Sequence, residues 1–354
     1  MSISPFDHPL LSGLLGDDEI AQQFLPQADF EEMNYFEEAL ARAEAAEGLI
    51  PEAAAEAISL ACMAFEPDYA TVREAVARDG VIIPEYVRQL RLHVGPPHDV
   101  HLHFGATSQD LIDTSLVRRL LPILPVFVQR IEAIVARIDE LNARFGTKMV
   151  MGRTRMQDAM PITVADRLVA WRTPLIRHSD RLAELSPRLL VLQFGGAAGT
   201  LDKLGDKARA VAQRVGEGLH LPVPEHAWHS QRDNFAEFAS WLSMVSGSLG
   251  KLGEDIALMA QNAIGEVTLE GGGGSSAMPH KANPIRAEVL VALARYNVTL
   301  LPAMHHALVA EQERSGAAWT LEWLTLPQMV MTTAAGLRNA ELLLGQITRL
   351  GKAA

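Results

Sequence analysis

The sequence predicts an all-α protein, an elongated central bundle of about five long helices with a smaller helical domain at its N-terminus. Three observations carry that expectation. Apolar residues recur at three- and four-residue spacing through nearly the whole chain, the period of a helix face. Alanine and leucine dominate, while aromatic residues make up only 6% of the 354 residues. Beyond about residue 105 the periodic stretches lengthen to roughly 30 residues, about 45 Å of helix each.

The elements follow in order. In 28–47, Phe30, Met33, Phe36, Ala39, Leu40 and Ala43 fall on one stripe, and the acidic residues around them are expected to form a solvated face. A breaker-rich stretch over 93–101, with Pro96 and Pro97, separates this region from the long segments. The chain is therefore divided into an N-terminal helical domain, 1–105, and a central long-helix bundle, 106–354. Rods are expected over 108–144, 162–190, 234–262, 284–311 and 319–350. Pro122, Pro125, Pro174 and Pro302 lie inside them and are expected to kink rather than end them, because the apolar period resumes beyond each; Pro187 is expected to end the second rod early. The connecting segments 145–160, 194–206, 222–233 and 265–283 are rich in Gly, Ser, Thr, Arg and His and read as loops, where a rigid helical scaffold usually carries its chemistry.

Composition narrows the function. The 31 basic and 43 acidic residues leave a net charge of −12, so the surface repels phosphate backbones and anionic lipids, and neither nucleic acid nor membrane is an expected partner. An anionic substrate must then be captured by a local basic cluster. Cys62 is the only cysteine, which excludes an intramolecular disulfide and a cysteine zinc site. Residues 1–15 carry Asp7 and no basic stretch ahead of an apolar run, so no secretory signal is expected, and the most apolar stretch, 120–128, is too short to span a bilayer. The expected location is cytoplasmic.

The sharpest feature is GGGGSSAMPHKANP, 271–284. A plain linker has no use for Met278, Pro279, Lys281, Asn283 and Pro284 at fixed places after the serines. Its glycines allow backbone movement, and Lys281 supplies a cation for a carboxylate or enolate-like charge. His98, His101 and His103 spell HxxHxH, but only Asp99 and Asp110 lie nearby as acids, at no metal-ligand spacing, so no metal site is expected. His226 and His229 have a weaker claim, and His305 and His306 read as packing or interface residues. Trp319 and Trp323, four residues apart, read as one buried helix stripe.

GSSAMPHKANP, 274–284, resembles the signature GSSxMPxKxNP of the fumarase/aspartase superfamily. GATSQD, 105–110, resembles that family's first signature region and GRTRMQ, 152–157, its second, normally GRTHxQ. GGAAGT, 195–200, and QRD, 231–233, resemble further elements of its adenylosuccinate lyase branch. SPFDHPLLSGLLGDDEI, HFGATSQDLIDTSLVRRL, LQFGGAAGTL and EQERSGAAWTLEWLTLPQM are most similar to the branch of cycloisomerases that lactonise a carboxymuconate. The resemblance implies an intramolecular lyase, a small tricarboxylate substrate, no cofactor and no obligatory metal. It also implies a homotetramer whose long helices join in one bundle, with each active site shared between subunits. Many relatives carry a further C-terminal helical domain, and the chain resembles a shorter form without it.

By the same resemblance Ser275 is the general base of a mobile loop, while Lys281 and Asn283 help stabilise a carbanion-like intermediate. Thr107 and Ser108 match carboxylate-binding hydroxyls, and Arg153, Thr154, Gln157 and Gln231 match polar groups lining the site. Arg314 and Ser315 match an anion-binding pair, with a solvated or ion-paired Arg314 as the plain reading. Glu288 matches the glutamate that pairs with the histidine of GRTHxQ. That histidine is replaced by Arg155, whose guanidinium keeps its proton at neutral pH. Arg155 therefore reads as a clamp for a substrate carboxylate, or as a simple ion-pair partner of Glu288. His103 reads either as a residue that hydrogen-bonds substrate or acts as an acid, or as a buried structural histidine. A C–N lyase of the adenylosuccinate lyase type is the alternative activity, opposed by SPFDHP where that branch has an Arg-Tyr pair. A non-catalytic structural or binding protein is the alternative of another kind, opposed by the intact 274–284 signature.

Overall fold

The computed structural model describes residues 4–271, 273, 278 and 282–352. Two one-turn helices, Ser12–Leu15 and Asp18–Ala21, lead into α1 (Pro26–Ala46), α2 (Glu52–Ala64), α3 (Tyr69–Asp79) and α4 (Ile83–Val94). The long elements follow: α5 (Ser108–Phe145), a hairpin of β1 (Met149–Thr154) and β2 (Gln157–Thr163), α6 (Val164–Leu189), the shorter α7 (Ala208–Leu219), and α8 (Asp233–Met259). After β3 (Val267–Leu269), the helices α9 (Ile285–His306) and α10 (Gly316–Gly345) complete the bundle, and β4 (Ile347–Leu350) pairs antiparallel with β3. The five expected rods are α5, α6, α8, α9 and α10.

Local chemistry sets the boundaries that differ from expectation. The second rod starts at Val164 rather than 162, because residues 157–163 pair with β1 and Thr163 then caps the helix. Thr163 Oγ1 accepts from the Asp166 N–H at 3.1 Å, and Asp166 Oδ2 accepts from the Thr163 N–H at 2.9 Å. Pro187 does not end this helix, which runs to Leu189: a proline in the last turn removes one donor, yet the Leu190 N–H still reaches the Ser186 carbonyl at 2.9 Å. The segment expected as a loop over 145–160 is mostly the β1–β2 hairpin. The last rod stops at Gly345, where the chain turns extended to join β3.

A single contiguous apolar core runs from Phe6 to Leu350, so the N-terminal helices and the bundle share it. Its centre holds Phe127, Phe238 and Trp241, with ring centroids 5.9–6.0 Å apart, and Trp241 Nε1 donates to the His178 carbonyl at 2.8 Å. α9 is long and apolar enough by length and composition to cross a bilayer, which the reading of 120–128 passed over; here it packs along α8 and α10, with Tyr296 and Val298 exposed. Of the tryptophan pair, Trp319 is buried and Trp323 only half-buried, their rings 4.6 Å apart.

The acidic face of α1 needs a correction. Its apolar stripe is buried as expected, but Glu37 and Glu44 are buried too, because α2, α5 and α7 enclose the helix on several sides. Neither oxygen of Glu44 has a hydrogen-bond partner, and burial, reinforced by the charge of Glu37, pushes its carboxyl up to about 9. The unfolded chain ionises this group near 4.5, so the folded state holds an extra proton between the two values. That stabilisation is whole below pH 4.5 and is lost as pH rises through about 9. Glu44→Gln should therefore match the parent in stability near pH 4 and exceed it by on the order of 3 kcal/mol by pH 7. Unfolding midpoints across a pH series check this, and a pH-independent difference would contradict it.

Candidate active site

The first site cluster is built on one carboxylate. Asp110, in the first turn of α5, is fully buried. Its Oδ2 accepts from the N–H groups of Thr107 (2.9 Å) and Gly196 (3.0 Å), and its Oδ1 from Gly195 N–H (2.9 Å) and His229 Nε2 (2.7 Å). Because an ionised carboxylate only accepts, His229 carries its proton on Nε2. The close approach requires glycine: a Cβ on Gly195 would fall 2.8 Å from His229 Cε1, and one on Gly196 would fall 2.7 Å from the Gly105 carbonyl. Arg314 closes the cluster, with Nη1 donating to Thr107 Oγ1 at 2.8 Å and Nη2 to the carbonyls of Gly196 (3.2 Å) and Ala197 (2.5 Å). Ser315 is buried and caps α10, its Oγ accepting from Ala318 N–H at 3.1 Å; its hydrogen bond to Glu311 holds that carboxyl below its ordinary range. Ser108 opens α5, whose N-terminal N–H groups favour an anion. Gln231 is exposed beside it in sequence to the buried network described next.

One turn along α5, Asp113 anchors a buried ion network. Arg232 donates to Asp113 Oδ2 at 2.6 Å and to Glu322 Oε1 at 2.9 Å, and Trp319 Nε1 donates to Asp113 Oδ1 at 2.9 Å. The guanidinium also lies 4.8 Å from the Trp228 ring centre and 4.9 Å from that of Phe235. Burial raises the Glu322 carboxyl, opposed by Arg232, whereas the two carboxylates hold the Arg232 proton more tightly despite its burial. Asp110, Asp113, His229 and Arg232 were not chosen from the sequence as site residues. The T-x-x-D spacing of Thr107 and Asp110, a helix-start signature, was the signal available for the first of them.

The second cluster lies on the hairpin. Arg153 Nη1 donates to the buried carboxylate of Glu266 at 2.9 Å and its Nε pairs with Asp158 at 2.9 Å, so this side chain anchors β1 to the segment before β3. Thr154, Arg155 and Gln157 are exposed around the two-residue turn. Both turn residues, Arg155 (φ 51°) and Met156 (φ 65°), adopt the left-handed conformation, which is uncommon outside glycine and asparagine. Arg155 has no ion-pair partner among the described residues, and the pairing with Glu288 is not formed. Instead Arg155 lines a cleft of 780 Å³ with Arg167, Lys251 and Gln261. Asn283 and the exposed Glu288 line a neighbouring cleft of 810 Å³, which also includes Gln261. Ser275 and Lys281 lie outside the described residues. Among those described, no three His, Cys, Asp or Glu side chains converge to hold a metal ion.

Within one chain the two clusters occupy opposite ends of the bundle. Gln231 and Arg232 precede the first turn of α8, whereas Leu258 and Met259 at its end line the cleft with Arg155. The 27 residues of α8 span about 40 Å. The first cluster offers a helix N-terminus and hydroxyls for a carboxylate; the second offers a guanidinium with no ion-pair partner among the described residues.

The sequence matches the family described as lyase over residues 16–298. The chain belongs to the fumarase/aspartase lyase family. Within the family it is 43% identical to the 3-carboxy-cis,cis-muconate cycloisomerase of Pseudomonas aeruginosa over 86% of this chain and 68% of that protein. The crystal structure of the 3-carboxy-cis,cis-muconate lactonizing enzyme from Pseudomonas putida superposes with a TM-score of 0.91 at 38% identity, covering 97% of this chain and 77% of the other. A fumarate lyase from Mesorhizobium sp. BNC1 superposes at 0.88 with 35% identity, over 95% and 76%. The family membership makes the chain an enzyme of the lyase and isomerase kind.

Removing Asp110 tests the first cluster. Asp110→Ala leaves three backbone donors and a histidine unpaired in the interior, and should lower stability by about 3–5 kcal/mol. Urea unfolding compared with the parent reads this directly; a loss below about 1 kcal/mol, the worth of one ordinary hydrogen bond, would show that the cluster does not depend on it.

Proposed function

We propose that the protein is a 3-carboxy-cis,cis-muconate cycloisomerase, converting that tricarboxylate reversibly to 4-carboxymuconolactone in the protocatechuate branch of the β-ketoadipate pathway. The observation that carries this reading is the 38–43% identity to curated enzymes of that name, extending over at least 86% of the chain. In the reaction one carboxylate adds to a conjugated double bond. The electron pair moves onto the carbon next to another carboxylate, which spreads the charge as an aci-carboxylate, and that carbon then takes a proton. Ser275 is assigned the proton transfer, Lys281 and Asn283 the developing charge, and Thr107 and Ser108 one substrate carboxylate. Arg155 clamps another: it is exposed and unpaired among the described residues, and as a permanent cation it does not shuttle protons. Thr154, Gln157, Gln231, Glu288, Arg314 and Ser315 are assigned to lining and supporting the substrate, and Arg153 to holding the hairpin that presents Arg155.

A site that uses both clusters needs more than one copy of the chain, since about 40 Å of α8 separates them in one. We therefore assign a homotetramer with shared sites, supported by the partly exposed apolar surface of α9, and a cytoplasmic location.

Incubation with 3-carboxy-cis,cis-muconate should abolish the conjugated-diene absorbance and yield the lactone by NMR; an unchanged diene would refute the assignment. Arg155→Ala and Arg155→His should lower catalytic efficiency by about tenfold to a hundredfold, and Arg155→Lys by less, because lysine keeps the charge without the planar fork. Full activity in Arg155→His with a new pH dependence would replace the clamp with proton transfer. The shared site is read by mixing: Arg155→Ala and Arg314→Ala, each poorly active, should regain activity when their subunits are exchanged, and mixtures no better than the average of the two would place each site within a single chain.

A further inference from the structure

Beside the loop that enters α5, His103 meets a buried acid, Glu37, that no sequence motif marks. His103 Nδ1 is 2.6 Å from Glu37 Oε1, with His103 15% exposed and Glu37 only 1%. His103 adopts the left-handed conformation, φ 60°, a strained state for a non-glycine residue that persists where its surroundings hold it in place. Four residues on, Thr107 begins the helix end where Arg314 and the Asp110 cluster meet.

The environment of Glu37 is one-sided. On its own helix it faces Glu44, kept neutral by burial, with Glu38 beside it. From α2 comes Cys62 and from α4 Tyr86, both pushed up by burial and by the Glu37 charge. His103 is its only ion-pair partner among the described residues, and the other Glu37 oxygen has no hydrogen bond. A buried carboxylate left without its cation is strongly unfavourable, so the two side chains constrain each other. Since the carboxylate only accepts, Nδ1 donates a proton to it, and Nε2 is left for another partner, to which it donates when the ring carries both protons.

We propose that Glu37 is a positioning residue of the active site, fixing His103 with Nδ1–H on the buried acid so that Nε2–H donates to a substrate carboxylate held at the start of α5. The proposal rests on the reading of His103 as a substrate-contacting residue. It differs from the family's histidine–glutamate pair, since neither Arg155 nor Glu288 takes part.

The test compares Glu37→Met, Glu37→Asp, His103→Gln and the double variant Glu37→Met/His103→Gln in the full chain. Apolar Met of similar volume removes charge and acceptor without an unpaired buried group. Glu37→Met and His103→Gln should each raise KM about tenfold with kcat within about twofold, the loss of one charge-assisted contact to bound substrate. The double variant should be no worse than His103→Gln alone, and Glu37→Asp, which keeps the charge, should fall between Glu37→Met and the parent. In spectra of 15N-histidine-labelled protein, a ring signal protonated at Nδ1, assigned by its loss in His103→Gln, should be present in the parent and move in Glu37→Met. An unmoved signal overturns the proposal whether or not the parent turns over carboxymuconate. A moved signal with parental KM in Glu37→Met, or losses that multiply in the double variant, also overturns it. A parental KM in His103→Gln overturns the reading of His103 together with the proposal.

Discussion

The carboxylate of Asp110 holds together loops that are far apart in the chain. Four donors converge on its two oxygens, from residues 107, 195, 196 and 229. The donors come from three segments: the start of α5, the glycine-rich turn before α7, and the histidine that precedes α8. A buried charge is stable only when its lone pairs are met, and here the backbone itself meets most of them. The turn at 195–196 can supply two N–H groups only because no side chain stands between it and its neighbours. Arg314 then spans two of these segments, at Thr107 and at 196–197, so four stretches of chain are tied at one end of the bundle.

The Asp113–Arg232–Glu322 network one turn deeper does a different job. Buried ion pairs contribute little net stability, because desolvation offsets most of the Coulomb gain, but each partner confines the others to one arrangement. Two carboxylates around one guanidinium leave a local negative excess, which the Trp319 N–H relieves by donating to Asp113, while the faces of Trp228 and Phe235 hold the guanidinium itself. The outcome is a rigid junction of α5, α8 and α10, from which the half-buried hydroxyls of Thr107 and Ser108 take their positions. In a chain of net charge −12, binding a small carboxylate substrate depends on such local construction rather than on the field of the whole protein.

The far end of the bundle is built on strain and rigid support. A two-residue turn with both residues left-handed ordinarily calls for asparagine and glycine, and Arg155–Met156 supplies neither. Its conformation is sustained by the paired strands beneath it and by Arg153, locked to Glu266 and Asp158. The guanidinium of Arg155 is thereby presented outward from a stiff base, while the neighbouring residue of the same type is spent on structure. Two arginines two positions apart thus have opposite roles, set by which of them faces a buried acid.

The sequence by itself determined the helical architecture, because periodicity over 20–40 residues is a one-dimensional signal that survives any tertiary arrangement. All five long rods were legible, with the ends of α9 and α10, at His306 and Gly345, short of the expected 311 and 350, and so was the apolar stripe of Phe30, Met33, Phe36 and Leu40. The family membership was legible for a similar reason, since its signatures are short contiguous strings. The hairpin at 149–163 was not, since its turn lacks the residues that usually announce one. The burial of Glu37 and Glu44 was likewise hidden: an acid on a helix reads as solvated until the elements that enclose it are known. Only the tertiary structure decided that Asp110, Gly195, His229 and Arg314 meet, that Arg153 is paired while Arg155 has no ion-pair partner among the described residues, and that the two clusters stand at opposite ends of α8. Contacts between residues 85 to 207 positions apart depend on how rigid helices fold back on one another, and that three-dimensional relation leaves no periodic trace in the chain.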